Sequence, residues 1–490
     1  MIRRFTIEKT VALIVFMLIF AMAARVPLDT DTWWHIRSGG ETLQNGIIRA
    51  DTFSHSVDGT PWVNHSWGAQ VILYAAWSLA GYTGLVVYMA GLATIGLIFV
   101  WKSSAGNTYL RAFAMILCAA TAAVFWSPRP QMLSFALSAV VFWILSEART
   151  PGKRDRLWWL VPIMGVWGNL HAGFSIGFIF MGAFLVGDTL SRLARTPRTV
   201  LTWPQLRRLV LVIALSIVAL CINPYGLQML AVPFQTVGIG ALQNFIQEWN
   251  SPNFHARQTW PFLALLFGAA AALGLSRQRI TWTEFFLLAG TGFLAFSAGR
   301  NIAVFAVAVT PMFTVHVDDY LRERGWVLRP LQRVTALSGA LNIVIVVVIG
   351  AFCLLKVASV VLPRLVQEVL DDTYPTAAVT ALQERRPPGT MFNSYNWGGY
   401  LIYALPEYPV FVDGRTDLYG DAFLTDDYLH VALGGSRTPE VLTEYGVNIV
   451  LVETGSGLAR LLMADPEWET VTTDDLATLL LRREPIGDAS

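Results

Sequence analysis

Eleven apolar runs, near residues 10–27, 82–101, 109–126, 130–147, 157–171, 173–190, 209–223, 258–275, 282–298, 301–316 and 336–361, govern what this chain can become. About twenty apolar residues in helical form match the hydrocarbon thickness of a bilayer. Inside lipid every backbone N–H and C=O must be bonded within the segment, so each run is predicted to be a helix. Several runs are shorter than a full crossing, which implies tilt, local thinning or partial burial beside a cavity. Charged residues make up only 14% of the chain, where soluble domains carry about 25%, and this excludes a water-soluble globule. The formal net charge of +1 implies no polyanion partner and no nucleic acid. Cys118, Cys221 and Cys353 all fall inside apolar runs and read as small hydrophobes, not as a disulfide framework or a metal site.

Basic residues set the direction of threading. Arg3 and Arg4 precede the first run, Lys102 and Arg111 flank one loop, and "RTPGKRDR" (149–156), "SRLARTPR" with "QLRR" (191–208), "SRQR" (276–279) and "YLRERGWVLR" (320–329) mark others. All of these can be cytoplasmic together only if residues 66–101 cross once. "SWGAQVILYAAWSLAG" (66–81) is then an interfacial helix followed by one span at 82–101. "TWWHIRSGGETLQNG" (32–46) reads as a second interfacial helix, its tryptophans at headgroup level. The start, "MIRRFTIEKTVALIVFMLIFAMAA", is either an uncleaved first span or a secretory signal, and both place the following loop outside. About eleven spans put the N-terminus in the cytoplasm and the C-terminal region outside.

Residues 363–490 change character, with more charge and regular turn residues. A helix is expected over 375–385, and strands over 390–394, 408–414, 447–453 and 476–483. The expected architecture is a polytopic α-helical membrane domain, 1–362, with two interfacial helices in its first outer loop, and a small extracytoplasmic α/β domain, 363–490.

Polar residues at the edge of spans are expensive and mark function by default. The threading gathers many on the outer side. Asp29, Asp31, His35 and Arg37 open the first loop, and His55, Asn64 and His65 close it. Arg129 stands between prolines in "SPRPQ", Asn169 and His171 in "GNLHAGF", Glu248 and Trp249 in "QEWNSPNFH", and Arg300 in "AGRN". Singly, each has a bland reading: a histidine at a helix end is often structural, and an arginine can anchor at headgroups. Their convergence from separate loops on one face points to chemistry. Of two carboxylates spaced i, i+2, one can act as general base for an acceptor hydroxyl. The pair could also hold a divalent cation, Mg or Mn, against a phosphate. Guanidinium groups match a phosphate leaving group, which assigns Arg129 and Arg300, with His35, Arg37 and His171, to a lipid-phosphate donor. His65, Glu248 and Trp249 are candidates for acceptor or sugar. In the C-terminal region, Gly398 and Gly399 permit tight approach after the first strand. Asp413, Arg415 and Asp417 leave the end of a second strand, where open α/β sheets place ligands, and join Trp397 as acceptor or sugar candidates.

A first span followed by an outer loop that opens with acidic residues and holds two membrane-parallel helices resembles the GT-C superfamily. That superfamily includes protein O-mannosyltransferases, lipid A aminoarabinose transferases and oligosaccharyltransferases. "DTDTWWHIRSGGETLQNGIIRADTFSHSVDGTPWVNHSW", "INPYG", "EWNSP" and "FNSYNWGGYLIYALPEYPVFVDGRTDLYG" look like bacterial multi-span proteins of the glycosyltransferase-like kind. The resemblance implies transfer of a sugar from a polyprenyl-phosphate or diphosphate carrier to a glycan, lipid or protein acceptor outside the cytoplasm, in the bacterial inner membrane. It gives the catalytic role to Asp29 or Asp31. "NWGGYLIY" departs from the oligosaccharyltransferase pattern, lacking the aspartate that follows the tryptophans there, so acceptor-peptide recognition does not carry over. A transporter or flippase of lipid-linked saccharides would instead show internal repeats and polar groups at mid-membrane. A non-catalytic binding protein would depend on 363–490 and not on the aspartate pair.

Overall fold

The computed structural model describes residues 6–238, 240, 247–326 and 335–486; Arg3, Arg4 and Arg329, used above for sidedness, lie outside these described residues. A helix falls on each of the eleven apolar runs. Among the described residues, eight helices are long and apolar enough to cross a membrane, and those over 7–23, 157–167 and 282–297 are shorter. Contacts divide the chain into two compact units. The first combines Met1–Arg25, Leu85–Pro233 and Gln247–Val360; the second combines Val26–Gly84, Phe234–Ile246 and Val361–Ser490. Contacts therefore group the first loop with the C-terminal region, where the sequence-based division at 362 keeps it with the spans.

The first unit is helical throughout. Its helix starts are written in sequence: Asn107 accepts from the N–H groups of Tyr109 and Leu110, and Thr281 and Glu284 cap each other's backbone in a capping box. The helix Ile302–Glu323 is the most enclosed, with every residue from 302 to 314 buried. By contrast Phe267, Phe293, Phe352 and Leu354 stand exposed on helix faces, a surface that suits lipid and not water. The loops fall into two groups. At one end Arg149 pairs with buried Asp188, which also accepts from the Leu201 N–H at 2.9 Å and the Thr283 hydroxyl at 2.6 Å. Arg198 pairs there with Glu284 at 3.1 Å, so the basic loops 149–156 and 191–208 meet the start of the Trp282–Ser297 helix. At the other end Arg25 donates to the carbonyls of Ala123 and Trp126, and Asn169 donates to the Ile222 carbonyl at 2.9 Å. The Gly299 N–H donates to the Asn250 carbonyl at 2.9 Å. The two-sided sorting of loops that charge alone required is thus present in the packing.

In the second unit, α2 (Thr30–Asn45) follows α1 (Ile7–Ala23) of the first, and α3 (Trp67–Ser103) comes next. α3 is broken at Ala80 and Gly81, and Gly81 has φ +53°, a left-handed conformation that favours glycine. The break separates the stretch predicted to be interfacial from the stretch predicted to span. Gly39 and Gly40 of α2 lie against Gln70 and Tyr74 of α3; a Cβ at 39 would sit 2.2 Å from the Gln70 carbonyl oxygen. The same closeness buries Trp33 and Trp34, at 2% and 6% exposed, which corrects their expected place at headgroup level. Trp33 instead packs edge-on against Trp77, Tyr82, Tyr374 and Tyr400.

The sheet has the order β1-β2-β4-β3, with β1 Thr390–Asn393, β2 Val447–Glu453, β3 Trp468–Thr473 and β4 Ala477–Arg482. β1 and β2 are parallel; β4 is antiparallel to both β2 and β3. The helix expected at 375–385 is Thr376–Arg385. Residues 408–414 are not a strand of this sheet, and β3 was not expected. The reason is hydrogen bonding. Asn393, fully buried, accepts from the Phe411 N–H at 2.7 Å and donates to the Val412 carbonyl at 2.8 Å. Val410 meanwhile donates to the Phe53 carbonyl at 3.0 Å and accepts from the His55 N–H at 3.1 Å. The segment is extended and bonded, but to a side chain and the first loop.

Candidate active site

The aspartate pair sits at the start of α2, in the second unit. Asp29 is the N-cap, its carboxylate accepting from the Asp31 N–H at 3.0 Å. Asp31 lies in the first turn, where a negative charge suits the helix dipole, and it accepts from the Trp34 indole N–H at 3.1 Å. The two carboxylates are therefore not equivalent: one closes the helix end, the other faces a built environment. Gly414 forms part of that environment, because a Cβ there would stand 2.0 Å from an Asp31 carboxylate oxygen. Gly399 brings the Tyr395–Ala404 helix equally close to α2, its added Cβ meeting the Thr30 carbonyl at 2.4 Å. Tyr374, buried, donates its hydroxyl to the Leu28 carbonyl at 2.8 Å just before the pair. Burial first, and then the charges of Asp29 and Asp31, raise the Tyr374 phenol, so it stays a protonated donor. Among the described residues no three His, Cys, Asp or Glu side chains gather to hold a metal ion.

Asp413 and Arg415 do not end in an open crevice. Arg415 is 1% exposed and grips Asp413 with Nε at 2.8 Å and Nη2 at 2.6 Å, while Nη1 pairs with Asp51. Asp413 also takes the Tyr419 hydroxyl at 2.7 Å, and Asp51 takes the Ser54 N–H at 3.0 Å. Phe53 and Trp62 stack about the guanidinium at 5.2 and 5.1 Å. Burial alone would lower the Arg415 value, but Asp413 beside it raises it well above the ordinary one; the cation is permanent. These groups satisfy one another, which corrects their expected exposure to an acceptor. Of that trio only Asp417 is exposed, and it accepts from the Trp62 indole at 3.2 Å. Asp51, Trp62 and Tyr419 were missed as partners; "RADTFSHS" held Asp51 in plain view, but nothing in a single sequence couples it to a residue 364 positions away.

Several other candidates are also inward. His35 is 5% exposed, its ring tilted by 36° against Trp34 with ring centres 3.6 Å apart, and its Nδ1 lies 3.4 Å from the Gln70 amide nitrogen. Trp397 is buried. Arg37 forms a helix-surface ion pair with Glu41 at 2.7 Å, and His65 is half-buried in the turn before α3. His55 donates its Nε2–H to the Met391 carbonyl at 3.0 Å.

In the first unit the sequence expectation of convergence holds for four residues from three loops. Arg129 lies 3.3 Å and Arg300 3.5 Å from opposite oxygens of Glu248, and the Arg300 guanidinium stacks over the Trp249 ring at 4.3 Å. Burial raises the Glu248 carboxyl, but Arg129 and Arg300 outweigh it, and the net direction is down: the group is a carboxylate. The Tyr88 hydroxyl donates to the Arg129 carbonyl at 3.1 Å and braces the group. His171 belongs to the same end of this unit, bonded to Ser134 at 2.8 Å.

No family model and no curated protein sequence matches the chain. Solved structures do. The chain is similar to the oligosaccharyltransferase AglB of Archaeoglobus fulgidus, in complex with an inhibitory peptide and a dolichol-phosphate, at TM-score 0.58 and 12% identity over 91% of this chain and 69% of that one. It is similar to ArnT of Cupriavidus metallidurans in the apo state at TM-score 0.55 and 14% identity over 96% of each chain. ArnT bound to undecaprenyl phosphate gives TM-score 0.55 and 13% identity over 96% of this chain and 97% of that one. At these identities the likeness establishes the fold, the GT-C fold, over nearly the whole chain.

Proposed function

We propose that this protein is a glycosyltransferase that moves a sugar from a polyprenyl-phosphate or polyprenyl-diphosphate carrier to an acceptor on the outer side of the bacterial cytoplasmic membrane. An acceptor hydroxyl attacks the anomeric carbon, the bond to the carrier phosphate breaks, and the phosphate leaves with the electron pair. Asp29 or Asp31 takes the hydroxyl proton. Asp31 is the better base, because Asp29 is committed as a helix cap. Arg129 and Arg300 stabilise charge on the departing phosphate. A single displacement inverts the anomeric centre. The reading takes the N-terminus as cytoplasmic and residues 363–490 as an outer domain.

The observation that carries the reading is the pairing of Arg129 and Arg300 on Glu248, two guanidinium groups held convergent at the loop end opposite the basic loops. The fold's likeness to proteins solved with dolichol-phosphate and undecaprenyl phosphate supports the class of donor. Asp29 and Asp31 suit a hard divalent cation such as Mg or Mn, which takes one or two carboxylates together with substrate phosphate. When bound, such an ion would lend positive charge to the leaving group.

Transport is the weaker reading. It needs ionisable groups near span centres. Among the described residues, Asp188, Glu284 and His316 of the first unit tie instead into the basic loop end, His316 lying 3.6 Å from Glu284. The test is transfer from radiolabelled polyprenyl-phosphate sugars to membrane acceptors: Arg129→Ala and Arg300→Ala each raise the donor KM, and unchanged donor kinetics in both variants would remove the phosphate-site assignment.

A further inference from the structure

The turn 276–281 joins the helices Trp260–Leu275 and Trp282–Ser297 at the basic loop end of the first unit. Asp319 holds it from one side, accepting from the Ser276 hydroxyl at 2.6 Å, the Arg277 and Gln278 N–H groups at 3.1 and 3.3 Å and the Gln278 amide at 3.0 Å. From the other side Arg198 donates to the Arg279 carbonyl at 3.3 Å and pairs with Glu284 at 3.1 Å, and Ser191 accepts from the Trp282 N–H at 3.0 Å. Here lies an open cleft of about 520 Å³, lined by Pro197, Arg198, Thr199, Arg277, Gln278 and Arg279. The lining holds three arginines and no carboxylate. Arg277 reaches Glu323 at 3.2 Å, but its side chain is 85% exposed, so water screens that pair. Arg279 is exposed, and among the described residues no carboxylate pairs with it.

The two helices that this turn joins carry an apolar groove of about 360 Å³, where Phe285, Leu288, Ala289, Gly292 and Phe296 of the second helix face Leu266 of the first. Their spacing puts them on one helix face. From Phe285 to Phe296 the helix rises about 16 Å, close to the ~15 Å depth of one leaflet's hydrocarbon. Trp282, 43% exposed, stands between the arginine cleft and the groove in sequence, a residue type that suits headgroup level. We infer that this hairpin binds an anionic glycerophospholipid of the leaflet on the basic-loop side, with its phosphate among Arg198, Arg277 and Arg279 and one acyl chain in the groove. Guanidinium forks match phosphate oxygens, and basic pockets between spanning helices dock anionic headgroups. The groove alone would suit a second copy of the chain equally well. Three arginines beside it select an occupant with an anion at one end and an apolar tail of leaflet length. Arg129, Glu248 and Arg300 sit at the opposite loop end, so this site and the transferase reading stand or fall separately.

The test is native mass spectrometry of the full chain in detergent, titrated with phosphatidylglycerol or with phosphatidylcholine of the same acyl chains. One phosphatidylglycerol binds at least about tenfold tighter than phosphatidylcholine. Arg277→Gln combined with Arg279→Gln weakens phosphatidylglycerol roughly thirtyfold, the worth of two arginines beside an anionic headgroup, and leaves phosphatidylcholine unchanged. Ala289→Trp, at an exposed position, fills the groove and weakens phosphatidylglycerol roughly tenfold with every arginine in place. Lys153→Gln combined with Arg154→Gln removes the same charge from another exposed basic loop and changes nothing. Equal affinity of the parent for the two lipids overturns the inference, and that comparison needs no variant to fold. So does an equal loss in the Lys153 and Arg154 pair, which makes the preference a general surface effect. Inorganic phosphate bound in place of lipid, with Ala289→Trp indifferent, makes the cleft a free-phosphate site and overturns it. A dimer that Ala289→Trp breaks while lipid binding is intact makes the groove a contact between copies and overturns it too.

Discussion

Replacing Arg415 with Met should unfold the second unit before it touches acceptor binding. The side chains of Arg415, Asp51 and Asp413 are each 0% exposed, so Arg415→Met leaves two carboxylates in a dry site without their cation. Each keeps some donors: Asp51 retains the N–H groups of Phe53 and Ser54, and Asp413 retains the Tyr419 hydroxyl. Breaking a buried pair by removing one partner costs about 3–5 kcal/mol. For a unit of roughly 200 residues each kcal/mol moves the melting point by ~2–4 °C, so the fall is ~6–20 °C. Asp51→Asn should cost less, about 1–3 kcal/mol, because Arg415 keeps Asp413. The double variant should be milder than the sum of the two by at least ~1 kcal/mol, since the second change removes one of the charges the first strands. Thermal unfolding of the purified protein, followed by tryptophan fluorescence, measures all three. The acceptor KM, taken where Arg415→Met is still folded, should match the parent. A melting point within 2 °C of the parent, additive costs, or a raised acceptor KM in the folded variant would refute the reasoning and return Arg415 to a binding role.

Four further outcomes are expected. His55 is lowered from 6.5 by burial, only partly offset by the Met391 carbonyl, so the unfolded chain binds more protons there as pH falls; stability in the second unit is full above pH 6.5, declines below it, and declines less in His55→Gln. Gly414→Ala drives a Cβ to within 2.0 Å of the Asp31 carboxylate and should lower kcat far more than it lowers the melting point. Glu248→Gln removes the carboxylate that draws Arg129 and Arg300 together; because Glu248 is 31% exposed, the donor KM should rise only about two- to fivefold. Chelation with EDTA should abolish turnover, with Mg or Mn restoring it, if Asp29 and Asp31 act through a cation; undiminished turnover in EDTA assigns the pair to proton transfer alone.

Much of the fold was legible because lipid leaves little choice. Apolar length dictated the helices, and the clustering of arginines dictated which loops share an end; Arg129, Glu248, Trp249 and Arg300 were found together for that reason. The break in α3 at Ala80 and Gly81 was implied by charge parity alone. What failed was side-chain direction in the second unit. Trp33 and Trp34 looked interfacial because amphipathic helices with tryptophans often are, yet Gly39, Gly40 and Gly399 let neighbouring helices close over them. Residues 408–414 have strand composition, but Asn393 and the first loop took their hydrogen bonds. Asp413 and Arg415 looked like a ligand crevice because their partner, Asp51, is remote in sequence.

The central claim is sugar transfer from a polyprenyl-linked donor that depends on the first-loop carboxylates. It is tested most directly by assaying transfer from radiolabelled lipid-linked sugars with Asp29→Asn, Asp31→Asn and the double variant, beside donor binding in each. The account predicts that Asp31→Asn loses at least ~100-fold in kcat with donor affinity kept, the loss of a general base, and that Asp29→Asn loses less. Full transfer by the double variant would contradict it.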